Sequence, residues 1–428
     1  MRRTLTLFLL LVSGAMTANA SDAVPAPPQK NPIALVGGTV HPITSAPIEN
    51  AIVLFADGKI SAIGRDVTIP DAAKRVDVTG KHVYPGLFNA GGQLGLVEID
   101  STRSTIDYSE VGSINPNVRA ETAVNPDSEL IPVTRSNGVL LTLTVPRGGL
   151  ISGSSAVLQL DGWTWEDLTL KSHAGMHINW PRVGAGGENS KRKDPLKPLE
   201  EFMRDARAYA KARTAEPNAH PVDLKLESML RVVDRAVPMI VHADRAEQIQ
   251  SAVAFSKREN VRLIIYGGYD AESCARLLRD NDVPVIINSV YRLPLRRSEP
   301  FDQAYTLPER LRKSGVQYCI AGVDRFGTSN LRNLPYNAAT AVAYGLPPEE
   351  AMKSITLYPA EILGVDDRVG SLEAGKDATL IVTDGFPLET WTAVESAFVK
   401  GGHLDLTDRH KTLWKKYQKK YQALRIKR

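Results

Sequence analysis

Cysteine is scarce. Cys274 and Cys319 are the only two in 428 residues, which excludes a disulfide framework. Both sit inside apolar stretches and read as two buried thiols, with a pairing in an oxidising compartment as the alternative. A Gly-x-Ser-x-Gly elbow is missing, so the strained strand-to-helix serine of many hydrolases is not available. No apolar run beyond residue 20 approaches a transmembrane span. Acidic residues are absent from 409–428, which hold nine Lys or Arg. Because the formal charge of the whole chain is only +4, the body preceding that tail is acidic, near −7 once the two N-terminal arginines are set aside. That balance argues against a nucleic-acid partner.

What is present begins with an export signal. Arg2 and Arg3 precede an apolar run, Leu5 to Val12, and Ala18-Asn19-Ala20 offers a small-x-small cleavage site. Residues 1–20 read as a signal peptide, with a mature start at Ser21 and a periplasmic or secreted destination; a retained anchor is the alternative. Residues 21–33 are rich in Ala and Pro and read as a linker. The remainder, ordinary for a soluble globule at 43% hydrophobic and 23% charged, suffices for one large domain and a smaller companion.

Short strands and turns fill the stretch from Ile33 to Val78, and ATLIVTDG and SAFVKGG near the other end share that character. Residues 34–81 and 367–403 are therefore expected to build one small β-sandwich-like domain from both chain ends. Between them strands alternate with helices: PMIVH (Pro238–His242), VRLIIY (Val261–Tyr266), VPVIIN (Val283–Asn288) and QYCIA (Gln317–Ala321) each precede a helical pattern. With earlier strands at Val83–Asn89 and Val139–Val145, residues 82–366 fit an α/β fold, a (β/α)8 TIM-type barrel, better than a doubly wound sheet. The latter would want a Gly-rich phosphate loop after its first strand, which Gly91, Gly92 and Gly95 do not form. Residues 146–197 read as an insertion, a hairpin followed by a surface loop.

Reactive groups of such barrels lie just past the C-terminal strand ends. Those positions hold Asn89 to Gln93, His242, Asp244, Arg245, Tyr266, Asn288 to Arg292, and Asp324. Gln93, Tyr266, Arg245, Asn288 and Arg292 are the candidate pocket residues, and His242 and Asp324 the candidate catalytic pair.

Here the sequence resembles a family. GKHVYPGLFNAGGQLGL is similar to the first barrel strand of the amidohydrolase superfamily, which usually carries His-x-His. ITLYPAEILG and GSLEAGKDATLIVTDGFPLE resemble its C-terminal helix and strand motifs, and PMIVHADR resembles the fifth strand of the imidazolonepropionase-like members. The likeness runs from about Ile33 to Gly402. It implies hydrolysis of non-peptide C–N bonds, as in cyclic amides, with one or two divalent metals activating water. It also implies metal ligands at positions where this chain has Gly91 and Gln93. His242 and Asp324 would be the surviving ligands, too few for the three that a catalytic zinc needs. No firmly bound cofactor is expected, at most one weakly held zinc. Two functions stay open: a hydrolase with a reduced metal site, or a catalytically silent protein that binds a small molecule in the barrel mouth. A homo-oligomer or a related amidohydrolase is the macromolecular partner considered.

Three further features were weighed. His173 and His177 stand four apart, but Gly175 and Pro181 favour strand or loop, so the spacing reads as coincidence, with His177 and Trp180 near a pocket. Arg292, Arg296 and Arg297 could hold an anion or pair with Glu299 or Asp302. In the basic tail, 404–428, Leu413, Tyr417, Tyr421 and Leu424 form one helical stripe with lysines opposite. That stripe suits either packing against the barrel or an anionic membrane surface.

Overall fold

The computed structural model describes residues 23–182, 194–217, 219–323 and 327–424. The signal segment, most of the 183–197 loop and Asp324 lie outside the described residues.

One eight-stranded mixed sheet takes strands from both ends of the chain. Its members are β1 (Ile33–Val40), β2 (Ile48–Ala56), β3 (Lys59–Gly64), β4 (Lys74–Asp77) and β5 (His82–Pro85), with three strands from beyond residue 379. Residues 23–32, which composition marks as a linker, are tied down instead. The Ala26 N–H donates to Asp161 Oδ2 at 3.1 Å, and the Gln29 amide bridges the Phe55 carbonyl and the Gly58 N–H.

The second sheet is a nearly closed eight-stranded barrel in an α/β fold. Its wall runs in spatial order through β6 (Leu87–Asn89), β7 (Val139–Thr144), β8 (Ile151–Gln159), β9 (Thr169–Asn179), β10 (Met239–Ala243), β11 (Leu263–Gly267), β12 (Val285–Ile287) and β13 (Tyr318–Ile320). The buried Asn89 side chain spans the seam, its Oδ1 accepting from the Gly322 N–H at 3.0 Å. The first sheet is completed by β14 (Leu380–Thr383), β15 (Val394–Val399) and β16 (Gly402–His403), of which β14 pairs with β5.

The barrel corrects one expectation. Residues 151–179 are not an insertion between barrel units but two strands of the wall itself, and β8 runs antiparallel to both neighbours. Chain length explains it. Only Val145 to Leu150 separates β7 from β8, with Gly148 and Gly149 at φ +94° and +64° making a reversal. A parallel crossover needs about a dozen residues or more. The return from β8 to β9 is equally short, closed by a capping box in which Thr164 and Asp167 bond each other's backbone.

Alternation along each strand divides the core. Met239 and Val241 of β10, with Leu263 and Ile265 of β11, pack outward against Ile249, Val253 and Phe255 of the helix Ala246–Glu259. Ile240, Ile264, Ile286 and Cys319 fill the interior with Phe88, Leu141 and Leu143. Each such fully buried side chain contributes roughly 1.5–3 kcal/mol. Two residues on from Ile240 and Ile264, the same inward face carries His242 and Tyr266.

The tail also departs from expectation. Residues Arg409–Ala423 form a helix started by Asp408, whose carboxylate accepts from the Lys411 N–H, but none of its residues is buried. The aromatic stripe is not packed on the barrel.

Candidate active site

Parallel register sets the geometry. His242 of β10 lies opposite Tyr266 of β11, and His177 of β9 lies opposite Ile240. These strands bring two imidazoles and a phenol together at the C-terminal rim. His177 Nδ1 and His242 Nε2 are 2.8 Å apart, a hydrogen bond in either direction. The His242 and Tyr266 rings lie 4.6 Å apart between centroids. His177 is fully buried, and its Nε2 has no hydrogen-bond partner among the described residues.

Two cavities open onto this group. One of about 370 Å³ is lined by Gln93, Arg147, Asn179, His242, Tyr266, Asn288 and Val323. The other, about 280 Å³, shares His242, Tyr266 and Asn288 and adds Arg182, Asp244, Arg245 and Gln248. Gln93, His242, Tyr266, Asn288 and Arg245 thus face one compartment. Val323 places the chain at its wall just before Asp324.

Burial, reinforced by the positive charge of Arg147, pushes the His242 imidazole down to about 4. Burial and the neighbouring His242 hold His177 well below the usual imidazole range. Burial also drives the Tyr266 phenol up to about 12, against the pull of Arg147. At neutral pH both imidazoles are therefore uncharged, and the phenol keeps its proton.

Arg292 is placed differently from the anion-binding expectation. Its guanidinium grips both oxygens of Asp244, at 2.7 and 2.8 Å, and donates to Asn288 Oδ1 at 3.3 Å. Arg296 pairs with Asp270 and Glu299, not with Asp302. Both charges are answered within the protein. The arginine that lies on the larger cavity is Arg147, which makes no carboxylate pair among the described residues and sits over the Tyr108 ring at 5.8 Å.

His177 and Arg147 are the residues that sequence reasoning missed. Their signals were present. Two-residue alternation from Gly175 through His177 to Asn179 marks one strand face, and Arg147 follows the Val139–Val145 strand at a rim position. His173, the other half of the apparent pair, is half-buried and meets Ser154 Oγ at 3.1 Å.

The described residues do not fit the metal that the likeness implies. Among them no group of three or more His, Cys, Asp or Glu is placed to hold an ion. Two nitrogens on one zinc, each at about 2.0–2.1 Å, stand roughly 3.3 Å apart in tetrahedral geometry. The facing nitrogens of His177 and His242 are closer than that and bond each other. The place for a side chain at position 91 is also taken, since a Cβ built on Gly91 would run into the Tyr266 hydroxyl.

Comparison with known proteins agrees with the architecture. The amidohydrolase family model matches residues 199–403. An imidazolonepropionase of Brucella anthropi is 23% identical over 367 residues, covering 79% of this chain and 87% of its own. Amidohydrolase tasK of Hapsidospora irregularis is 22% identical over 400 residues; the match takes in 83% of this chain but only 39% of that longer protein. The crystal structure of an amidohydrolase from Thermotoga maritima superposes with a TM-score of 0.78 at 27% identity, covering 87% of this chain and 99% of that one. The chain belongs to the amidohydrolase superfamily. Within it, the relatives and the fifth-strand motif place it in the imidazolonepropionase-like branch.

Proposed function

We propose that this superfamily hydrolase opens a C–N bond of a small cyclic amide at the barrel mouth, and that it does so with its own acid–base groups rather than a firmly held metal. The observation that carries this reading is the His177–His242 hydrogen bond beside Tyr266, on a cavity of about 370 Å³. A cyclic-amide substrate is suggested by the branch, whose named relatives are imidazolonepropionases.

In the tautomer with the proton on His242 Nε2, that N–H donates to His177 Nδ1, and His242 Nδ1 offers a lone pair to the cavity. A water gives its proton to Nδ1 while its oxygen bonds the carbonyl carbon. Negative charge moves to the carbonyl oxygen, where the un-ionised Tyr266 hydroxyl and the Arg147 guanidinium stabilise it. Collapse breaks the C–N bond, and the proton on Nδ1 passes to the departing nitrogen, restoring His242. His177 is a positioning residue: it holds the ring and accepts the Nε2–H of the transient imidazolium. Positioned acid–base groups supply ~10²–10⁴-fold. Export to the periplasm or beyond, through Met1–Ala20, belongs to the same reading.

The test is ring opening of a panel of hydantoins, dihydropyrimidines and imidazolones, followed by loss of ring absorbance, with His242→Asn as the control. Turnover that vanishes in His242→Asn supports the reading. Tight binding of a panel member without turnover would make the protein a silent small-molecule binder instead.

A further inference from the structure

The helix Arg409–Ala423 combines two features that are seldom left unanswered together. At 100° per residue, Leu413, Trp414, Tyr417, Tyr421 and Leu424 fall within one sector about 100° wide. All five are exposed, Trp414 by 54% and Leu424 by 57%. The rest of the circumference carries Arg409, Lys411, Lys415, Lys416, Lys419 and Lys420, and no acid. The helix is anchored at its first turn, where Asp408 caps it, Lys411 Nζ donates to the Leu406 carbonyl, and Arg332 meets His410 at 2.7 Å. Beyond that turn the stripe lies open.

We infer that this helix docks the protein onto an anionic lipid surface. Trp and Tyr carry an apolar body and a polar tip, which suits the boundary between headgroups and acyl chains, while lysine stems snorkel to the phosphates. Lys420 already leans over the rings of Tyr417 and Tyr421, at 5.8 Å from each, on the edge where such snorkelling would occur. The helix lies on the surface and does not cross it: among the described residues no helix is long and apolar enough to span a bilayer. A second copy of the same helix would bring six cations against six. A nucleic acid would answer the lysines and leave the stripe in water. Charge complementarity and the aromatic stripe are satisfied together only by an anionic bilayer.

The experiment is co-sedimentation of the full protein with vesicles of phosphatidylglycerol in phosphatidylcholine, and with phosphatidylcholine alone. Binding is expected to the first and not the second. It should fall at least roughly tenfold when salt shortens the screening length from about 10 Å at 0.1 M to about 3 Å at 1 M. Two variants separate the contributions: Lys415→Gln with Lys416→Gln, Lys419→Gln and Lys420→Gln, and Trp414→Ser with Tyr417→Ser and Tyr421→Ser. Every substituted side chain is exposed, so both variants should keep the native circular dichroism, and each should lose lipid binding. Equal binding to both vesicle types, no binding, or full binding by the Trp–Tyr variant would overturn the inference. So would a dimer on size exclusion that the Trp–Tyr variant dissolves, since the stripe would then belong to a second copy.

Discussion

The hydroxyl of Tyr266 fills the space into which a side chain on Gly91 would project. Gly91 is one of the two positions where the family resemblance calls for histidine, and Tyr266 stands on the strand where it calls for another. The two departures are complementary in volume. A double-mutant cycle reads that relationship directly. Gly91→Ala should cost about 1–3 kcal/mol by overpacking. In a Tyr266→Leu background, which vacates the hydroxyl, the same change should cost far less. Urea denaturation of the four proteins measures the coupling.

The same reasoning says how a metal site could be rebuilt. Gly91→His with Gln93→His alone should bind no more zinc than the parent, because the ring at position 91 meets the phenol. Adding Tyr266→Ala opens the space and sets two new imidazoles beside His177 and His242. Zinc stoichiometry after identical dialysis should rise only in the triple variant. Equal uptake by the double variant would show that Tyr266 is no obstacle.

Acid should destabilise the fold through the buried histidines. His242 is held at about 4 against the ordinary 6.5, so below pH 6.5 the unfolded chain takes up a proton that the folded chain refuses. Stability is therefore intact above pH 6.5 and falls as pH drops toward 4, by about 3 kcal/mol for a shift of this size. His177 acts in the same direction. His242→Asn should flatten the profile of urea midpoint against pH between 6.5 and 4. A residual slope will remain from His41, which burial and His82 also bring down to about 4.

Asp244 and Arg292 form a two-pronged ion pair, with side chains 34% and 20% exposed. Partial solvent access limits its worth, and a double-mutant cycle with Asp244→Ala and Arg292→Ala should give a coupling of about 1 kcal/mol. Asp244→Asn should also free the guanidinium, so carboxylate-bearing ligands are expected to bind more tightly to that variant by isothermal titration. Unchanged anion affinity would mean that Arg292 does not reach the cavity.

How far the fold and site were legible depended on whether the signal was local. Apolar strand runs such as PMIVH and VRLIIY state their own structure, and β10 and β11 form there. The β8–β9 hairpin was visible as a hairpin. Its membership of the barrel wall was not, because pairing with β7 and β10 is decided far along the chain. His177 was obscured by its four-residue spacing from His173, a helical coincidence that strand alternation dissolves. The Arg292 partner lies 48 residues away on another strand. The exposed tail stripe was misjudged because amphipathicity reveals a face without revealing what stands opposite it.

The central claim is that His242, not a bound metal, carries the proton. It is tested most directly by measuring ring opening of a turned-over cyclic amide with protein stripped by chelator, before and after zinc is restored. The account predicts the same rate in both, falling by ~10²-fold or more in His242→Asn, with an acid limb near pH 4 set by the depressed imidazole. Stripped protein that is silent until zinc returns would contradict it.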